Sequence, residues 1–353
     1  MTRGNLPSAI PHKPVCSMAD RKPEVVFIQR KRRDAVTNFS LEQIFDDLRE
    51  RIAEKYNSRR WIPRYSSNGT FRRAWIAVSA SFAQSDINHV TGDINFATIF
   101  LRRKNTILTI LDCGILERRR GLKRWAIRLI WFQLPVWRCR CVTVISEATR
   151  QKLLEEVACP VDRIRVVPVA ISENFALSEK EFDSQCPVIL QVGTAANKNL
   201  PRLAEALRGV RCRLRIVGPL SESQKELLKV NGIEFEQMAG ISQRELISCY
   251  CKSDLVTFAS TSEGFGMPIL EANATGRPVV TSNVTSMPEV AGDAACLVDP
   301  FDVDSIRDGI LRIMENPDYR EMLIKNGFRN VKRYQPATIA AQYIAIYDEI
   351  LGR

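Results

Sequence analysis

The chain has 353 residues, of which 45% are hydrophobic and 26% charged, as is ordinary for a soluble globular protein of two domains. No run of eighteen apolar residues occurs, which excludes a membrane-spanning helix, and residues 1–23 lack the apolar stretch of a secretory signal, so we expect a disordered leader there. The net charge of +11 is uneven, because residues 1–180 hold 32 Lys and Arg against 18 Asp and Glu, whereas residues 181–353 hold 19 against 22.

A first domain is predicted over residues 24–178, where short apolar runs alternate with amphipathic segments. Its helices are predicted to begin at a capping box of Ser40 and Gln43, to end at Pro135, and to be capped by Ser146. The predicted strands are 24–28, 75–78, 87–90, 105–111, 141–145 and 164–167, and the predicted helices include 41–53 and 122–134.

A second domain is predicted over residues 179–335, after a polar linker around residues 172–187. Its strands are predicted at 187–192, 213–217, 233–236, 255–258, 278–281 and 296–298. A helix is predicted after each of the first four strands, and three helices over 303–314, 319–332 and 338–351 follow the last. This alternation predicts a parallel, doubly wound sheet in each half, so the fold class is α/β. The last helix, residues 336–353, is expected to pack back toward the first domain. Ligands bind beyond the carboxyl ends of parallel strands, which predicts a site in the cleft between the two sheets.

Ten cysteines and two histidines are present, without the spacing of a zinc site, so we expect no metal centre. Scattered cysteines beside apolar residues are typical of buried thiols in a reducing cytoplasm.

The segment from Ser262 to Glu271 carries the strongest chemical signal. It follows a predicted strand, and its two glycines let the backbone approach a ligand, while Pro268 favours the first turn of a helix. The amino end of that helix offers free N–H groups to a phosphate, and carboxylates at Glu263 and Glu271 suit sugar hydroxyls. The alternative is a glycine-bearing turn with two solvated glutamates.

With seven residues between them in EGFGMPILE, Glu263 and Glu271 resemble the E-x7-E motif of retaining GT-B glycosyltransferases. That branch contains bacterial mannosyl- and glucosyltransferases and glycogen synthase-like enzymes. The resemblance covers the second half from ILQVGTAANKNL to GRPVVTSNVTSMPEVAGDAACLVDPFDV, and continues more weakly through TILTILDCG and VTVISEAT. It implies two Rossmann-like domains that face a cleft.

The resemblance also implies a role for individual residues. Glu271 would hold the ribose hydroxyls of the donor, Glu263 would contact the transferred sugar, and Lys198 would neutralise the leaving diphosphate. Further donor contacts are implied for Gly193, Gly240, Ile241, Gly264, Phe265, Gly266 and Met267. In the first domain, the residues expected at the cleft are Asn38, Ser40, His89 and Asp112.

Two departures from the family pattern occur. Relatives often carry an arginine before the lysine, where this chain has 194–197 as TAAN, and a histidine where this chain has Leu111. The second departure predicts altered donor choice, weakened catalysis, or compensation by His89, which follows a predicted strand. A lone histidine is otherwise more often structural.

The implied reaction transfers a hexose from a nucleotide-diphosphate sugar to a glycan or lipid-linked acceptor in cell-surface polysaccharide synthesis. The donor is a substrate, and no cofactor is expected. We recognise no Asp-x-Asp metal site, so the reaction is expected to be metal-independent, with retention by front-face attack.

The basic first half predicts an anionic partner. Residues 118–138 mix arginines with tryptophans, which suits either an interfacial helix on the inner face of an anionic membrane or a domain helix with solvated arginines. Nucleic acid is not expected, because no recognition motif accompanies the charge. Two rival functions remain, a nucleotide-sugar epimerase and a non-catalytic sugar-nucleotide-binding subunit. An NAD enzyme is rejected because residues 192–197 hold one glycine.

Overall fold

The computed structural model describes residues 21–31, 41–117 and 119–353, so most of the predicted leader, together with Asn38 and Ser40, lies outside the described residues. The first half contains the strands β1 Glu24–Gln29, β2 Asn57–Trp61, β3 Ile87–Thr91, β4 Thr106–Ile110, β5 Cys141–Val144 and β6 Ile164–Val166. Its α-helices are α1 Leu41–Arg51, α2 Thr70–Ser81, α3 Gly114–Glu117, α4 Gly121–Ile127, α5 Leu134–Trp137 and α6 Glu147–Glu156.

The second half contains the strands β7 Val188–Val192, β8 Arg213–Val217, β9 Glu234–Met238, β10 Leu255–Phe258, β11 Val279–Ser282 and β12 Cys296–Val298. Its helices are α7 Leu200–Ala206, α8 Glu222–Val230, α9 Gln243–Cys251, α10 Met267–Ala274, α11 Met287–Ala291, α12 Val303–Glu315, α13 Pro317–Val331 and α14 Pro336–Leu351. Capping boxes begin α8 and α9, where Ser221 pairs with Gln224 and Ser242 with Glu245.

Both sheets have six strands, and every strand pair in them is parallel. The first sheet has the order β2-β1-β3-β4-β5-β6, and the second has the order β12-β11-β10-β7-β8-β9. The central strands are buried along their whole length, as expected where helices cover both faces of a parallel sheet. The predicted α/β class with two doubly wound sheets is therefore confirmed. No helix in the described ranges is long and apolar enough to cross a membrane.

Two expectations for the first sheet are wrong. Residues 75–78 were expected to form a strand, but they lie in α2, whose buried side chains Ile76, Ala77 and Ala80 have helical spacing. A short apolar run does not distinguish a strand from a helix, and here the longer spacing decides. The strand that occupies the edge of the sheet is β2, which was missed because its sequence NSRRW is mostly polar and none of its residues is buried.

Pro135 was expected to end the helix that precedes it, but the helix continues past this residue. The helix passes through a π-helical segment, Arg128–Gln133, and continues as α5 with Pro135 in its first turn. Proline removes one N–H and displaces the carbonyl of the residue four positions earlier, which is Trp131. The carbonyl oxygen of Trp131 accepts a hydrogen bond from Nδ2 of Asn95 at 3.0 Å instead. The wider π turn and this outside donor let the helix continue.

The last helix, α14, belongs to the core of the first sheet. Ile339, Tyr343, Ile346 and Tyr347 pack with β1 and α1 in one buried apolar cluster. The chain therefore passes between the two halves twice, once before β7 and once before α14. The two connecting segments touch, because the N–H of Ile171 donates to the carbonyl oxygen of Tyr334 at 2.9 Å.

Candidate active site

The loops after β7 and β10 meet at the point where the order of the second sheet reverses. Strands β8 and β9 lie on one side of β7, and β11 and β12 lie beyond β10. The N–H of Thr261 donates to the carbonyl oxygen of Asn197 at 2.8 Å, and Nδ2 of Asn199 donates to that of Ala259 at 3.0 Å. Such a reversal opens a crevice at the carboxyl ends of the strands, where ligands bind in folds of this kind.

Lys198 and Glu263 form an ion pair in this crevice. Nζ of Lys198 lies 2.6 Å from Oε1 of Glu263, and their side chains are 19% and 16% exposed. Asn197 adds a hydrogen bond from Nδ2 to the same carboxylate oxygen at 3.0 Å. The ammonium group also lies 4.5 Å from the centre of the Phe258 ring. The structure thus brings together the two residues that the sequence placed at the sugar and the diphosphate.

Gly193 makes room for this lysine. Its φ of +91° favours glycine, and a Cβ there would lie 2.9 Å from Cε of Lys198. The glycine after β7 therefore supports the position of the Lys198 side chain. A direct contact of Gly193 with the donor stays a prediction.

Residues of the first half contact the second-half segment that contains Gly264. The Ser146 hydroxyl, at the amino end of α6, donates to the carbonyl oxygen of Gly264 at 2.8 Å. A Cβ on Gly264 would lie 2.6 Å from the carbonyl oxygen of Leu111, so the lack of a side chain lets the two halves approach each other. Gly266 has a φ of +127° and precedes α10, and Pro268 lies in the first turn of that helix, as predicted.

Glu271 lies one turn into α10 and accepts a hydrogen bond from the hydroxyl of Tyr250 to Oε2 at 2.5 Å. Burial raises the pKa of Glu271 to about 7, although the bond from Tyr250 and the charge of Lys198 oppose the shift. Tyr250 is fully buried, and burial beside the carboxylate raises its own pKa. Sequence reasoning missed Tyr250, because its spacing in α9 is also that of an ordinary core residue.

Two cavities flank the amino end of α10. The smaller, about 300 Å³, is lined by Met267 and Glu271 together with residues of α1, α9 and the segment 170–175. The larger, about 930 Å³, lies between the halves and is lined by Asp112, Glu263 and Gly264. Of the predicted site residues, Met267 and Glu271 thus line one space, and Asp112, Glu263 and Gly264 line the other.

The predicted donor-binding residues Gly240 and Ile241 lie between β9 and α9, and α9 contributes Gln243 and Leu246 to the smaller cavity. Phe265 is buried, with its ring centre 5.7 Å from that of Tyr334. The aromatic ring therefore belongs to the core, and only its backbone can serve a ligand.

His89 does not line the cleft, contrary to expectation. It is fully buried, with Nδ1 2.8 Å from the Tyr347 hydroxyl and Nε2 2.7 Å from the Thr109 hydroxyl. Burial lowers the pKa of His89 to about 3. A neutral histidine with both ring nitrogens bonded inside the first sheet cannot substitute for a histidine at position 111. Leu111 itself is 8% exposed and packs in an apolar cluster built mainly from second-half residues.

One Asp-x-Asp sequence does occur in the chain, because residues 302–304 read Asp-Val-Asp. The side chain of Asp302 caps α12 by accepting from the N–H of Asp304 at 3.0 Å. This pair therefore stabilises a helix end. Within the described ranges, no group of three or more His, Cys, Asp or Glu side chains could hold a metal ion.

Comparison with known proteins supports the resemblance of the second half to glycosyltransferases. Residues 173–330 match the family described as glycosyl transferases group 1. O-antigen chain mannosyltransferase B of Escherichia coli is 28% identical over 232 residues, which cover 59% of this chain and 60% of that protein. The MMP alpha-(1->4)-mannosyltransferase of Mycolicibacterium hassiacum is 26% identical over 221 residues, which cover 59% of this chain and 54% of that protein. The match thus spans little more than half of each relative.

Solved structures resemble the whole described fold. Sucrose-phosphate synthase of Thermosynechococcus elongatus superimposes with a TM-score of 0.76 at 15% identity, over 94% of this chain and 99% of that chain. HepE of Anabaena, solved in complex with UDP and glucose, superimposes with a TM-score of 0.74 at 14% identity, over 93% of this chain and 100% of that chain. At such low identity these likenesses show the fold, which is the two-domain α/β arrangement called GT-B.

Proposed function

We propose that this chain, whose residues 173–330 match the glycosyl transferases of group 1, is a retaining glycosyltransferase that moves a hexose from a nucleotide-diphosphate sugar. The observation that carries the proposal is the pair of Lys198 and Glu263 at 2.6 Å, at the point where the order of the second sheet reverses. A carboxylate and an ammonium group beside the amino end of α10 provide both partners that a sugar diphosphate needs.

The donor is proposed to bind around the amino end of α10. Its diphosphate would contact Lys198 and the free N–H groups of that helix. Its ribose hydroxyls would bind Glu271 in the smaller cavity, and the hexose would extend past Glu263 into the larger one. The mannosyltransferase relatives and a neighbour solved with UDP and glucose support a sugar nucleotide as the donor.

The chemistry follows from where charge develops. Breaking the anomeric bond puts negative charge on the diphosphate and positive charge on the sugar ring. Lys198 stabilises the negative charge on the diphosphate. When Lys198 contacts the diphosphate, its ion pair with Glu263 is broken, and the Glu263 carboxylate faces the positive charge on the sugar ring. Water is excluded when the halves close on the donor, so the acceptor hydroxyl attacks from the side that the leaving phosphate vacates and passes its proton to an oxygen of that phosphate. That route retains the anomeric configuration and is proposed to need neither a metal nor a cofactor.

The acceptor is proposed to be a glycan or a lipid-linked precursor in cell-surface polysaccharide synthesis. The O-antigen mannosyltransferase among the relatives and the net charge of +14 over residues 1–180 (32 minus 18) both support this class. The enzyme would act on the cytoplasmic side of an anionic membrane.

A second candidate is a non-catalytic subunit that binds a sugar nucleotide. The observation that favours it is Leu111, which packs as a core residue where related enzymes often carry a histidine. A thermal-shift screen with UDP-, GDP- and ADP-sugars would identify the donor. Cleavage of that donor, measured with and without a lipid-linked acceptor, then separates the two candidates. Donor binding without cleavage under either condition would favour the subunit, and no stabilisation by any sugar nucleotide would contradict both.

A further inference from the structure

Helix α2 has an apolar stripe on the side that faces solvent. Phe71 is 92% exposed, Trp75 44%, Val78 46% and Phe82, which follows the last turn, 86%. At 3.6 residues per turn these four positions fall within an arc of about 60°. The centre of that arc is opposite Ala80, which is fully buried against the first sheet. The core therefore explains one side of this helix and leaves the other side unexplained.

A neighbouring helix, which runs from α4 through the π segment to α5, also exposes apolar side chains. The two helices touch, because the guanidinium of Arg73 lies 4.9 Å from the centre of the Trp131 ring. The exposed apolar side chains of the second helix are Leu122, Trp125, Ile130 and Trp137. We call the exposed apolar side chains of these two helices the apolar stripe. By contrast, the large exposed apolar side chains of β7 to α14 are four scattered residues, Val230, Leu297, Phe301 and Met322.

Only positive charge accompanies the apolar stripe in the sequence. The chain has no Asp or Glu between Glu54 and Asp86, a segment that contains all of α2. None occurs between Glu117 and Glu147 either. The basic residues of the second segment are Arg118, Arg119, Arg120, Lys123, Arg124, Arg128, Arg138 and Arg140. Arg72, Arg119, Arg120 and Lys123 are exposed.

We propose that the apolar stripe inserts into the interface of an anionic lipid bilayer, with α2 lying in the plane of the membrane. Phe, Trp and Leu beside Arg and Lys are the composition that binds such a surface, since apolar side chains enter the acyl boundary and cations meet the headgroups. A second copy of the chain fits less well, because a symmetric contact would place one basic surface against another.

Chain length limits the distance between this surface and the larger cavity. Gly114 lines that cavity and is eight residues from the exposed Leu122, so the two lie at most about 28 Å apart. A lipid-linked acceptor held in the bilayer could therefore reach the cleft. The inference extends the proposed membrane partner, but its test needs neither donor nor turnover.

The test is co-sedimentation of the full chain with phosphatidylglycerol vesicles and with neutral phosphatidylcholine vesicles, at low and high salt. The wild type should bind the anionic vesicles, and binding should weaken at high salt. Phe71→Ser combined with Phe82→Ser should reduce partition on the order of tenfold or more, since two inserted rings are lost. Arg119→Ser combined with Arg120→Ser should reduce it several-fold at low salt.

The matched control is Val230→Ser combined with Phe301→Ser, which removes side chains that are 72% and 57% exposed in the second half. It should bind vesicles as the wild type does, and circular dichroism should show all variants folded. Absent binding, equal binding to neutral vesicles, or unchanged binding of the Phe71 and Phe82 variant would overturn the proposal. A dimer would also overturn the proposal if the chain did not bind vesicles and Phe71→Ser combined with Phe82→Ser abolished that dimer, because the apolar stripe would then contact a second copy.

Discussion

Tyr347, in the last helix, is hydrogen-bonded at 2.8 Å to Nδ1 of His89, in the third strand of the first sheet. The other ring nitrogen faces the hydroxyl of Thr109, so one bonded network joins α14, β3 and β4. Burial keeps this histidine neutral, with a pKa of about 3. The hydrogen bond therefore joins α14 to the first sheet.

The free energy of unfolding should depend on pH through His89. Its pKa is lowered from 6.5 to about 3 in the folded chain, so between these values the unfolded chain binds a proton that the folded chain does not. The contribution of His89 to stability should therefore be constant above pH 6.5 and should fall by about 1.4 kcal/mol per pH unit below it, whereas the raised pKa of Glu271 acts in the opposite direction between about 4.5 and 7. Urea denaturation of the wild type and of His89→Gln at pH 5, 6 and 7 measures the contribution of His89 as the difference between their slopes. His89→Gln, which cannot be protonated, should unfold with a smaller slope, and equal slopes for both proteins would contradict this account.

Replacing Lys198 by Met should lower turnover more than donor affinity. The diphosphate carries more charge in the transition state than in the bound donor, so a fixed cation favours the transition state. We expect kcat to fall on the order of a hundredfold or more. Lys225→Met is the matched control, because Lys225 pairs with Glu222 on the surface of the same half. A higher KM with unchanged kcat would make Lys198 a uniform binder of the donor.

Replacing Glu271 by Gln should weaken donor binding at pH 8 by about 1–3 kcal/mol, because an ionised acceptor of ribose hydroxyls is lost. With its pKa raised to about 7, the wild-type carboxylate becomes protonated as the pH falls below 7. Wild-type affinity should therefore decrease from pH 8 to pH 6, and that of the variant should not. Isothermal calorimetry measures both, with Glu321→Gln, from a surface pair with Lys325, as the control. Identical pH profiles would rule out this role for Glu271.

The stereochemical outcome tests the proposed route directly. We expect the anomeric configuration of the donor to be retained in the product, and turnover to persist in a chelator. NMR of the product and assays in EDTA, with and without added Mn²⁺, provide the two measurements. An inverted product, or activity that depends on the added ion, would refute the proposed mechanism.

The sequence indicated the parts of the fold that repeat a local pattern. The alternation of strands and helices predicted two parallel sheets, and the segment from Ser262 to Glu271 predicted a glycine turn after a strand and a helix that begins near Pro268. These features depend on neighbouring residues, so a periodic pattern can reveal them.

What the sequence did not indicate depends on distant partners. His89 was expected at the cleft because it ends a strand, but its burial depends on Tyr347, which lies 258 residues further along. The continuation of the helix through Pro135 depends on Asn95, whose side chain donates a hydrogen bond to the displaced carbonyl oxygen of Trp131. Tyr250 orients Glu271 across 21 residues, and nothing in its own segment marks it.

The contact between Ile171 and Tyr334 limits how the two halves can move. The two connecting segments are hydrogen-bonded to each other, so the second half is an insertion between β6 and α14 that is joined to the first half by two chain segments. Two chain crossings that are held together at one point can act as a hinge. Ile171 also lines the cavity that contains Glu271, so such a hinge would lie beside the proposed ribose site. The larger cavity is lined by residues of both halves, so rotation about the hinge would widen or narrow the space where the acceptor must enter.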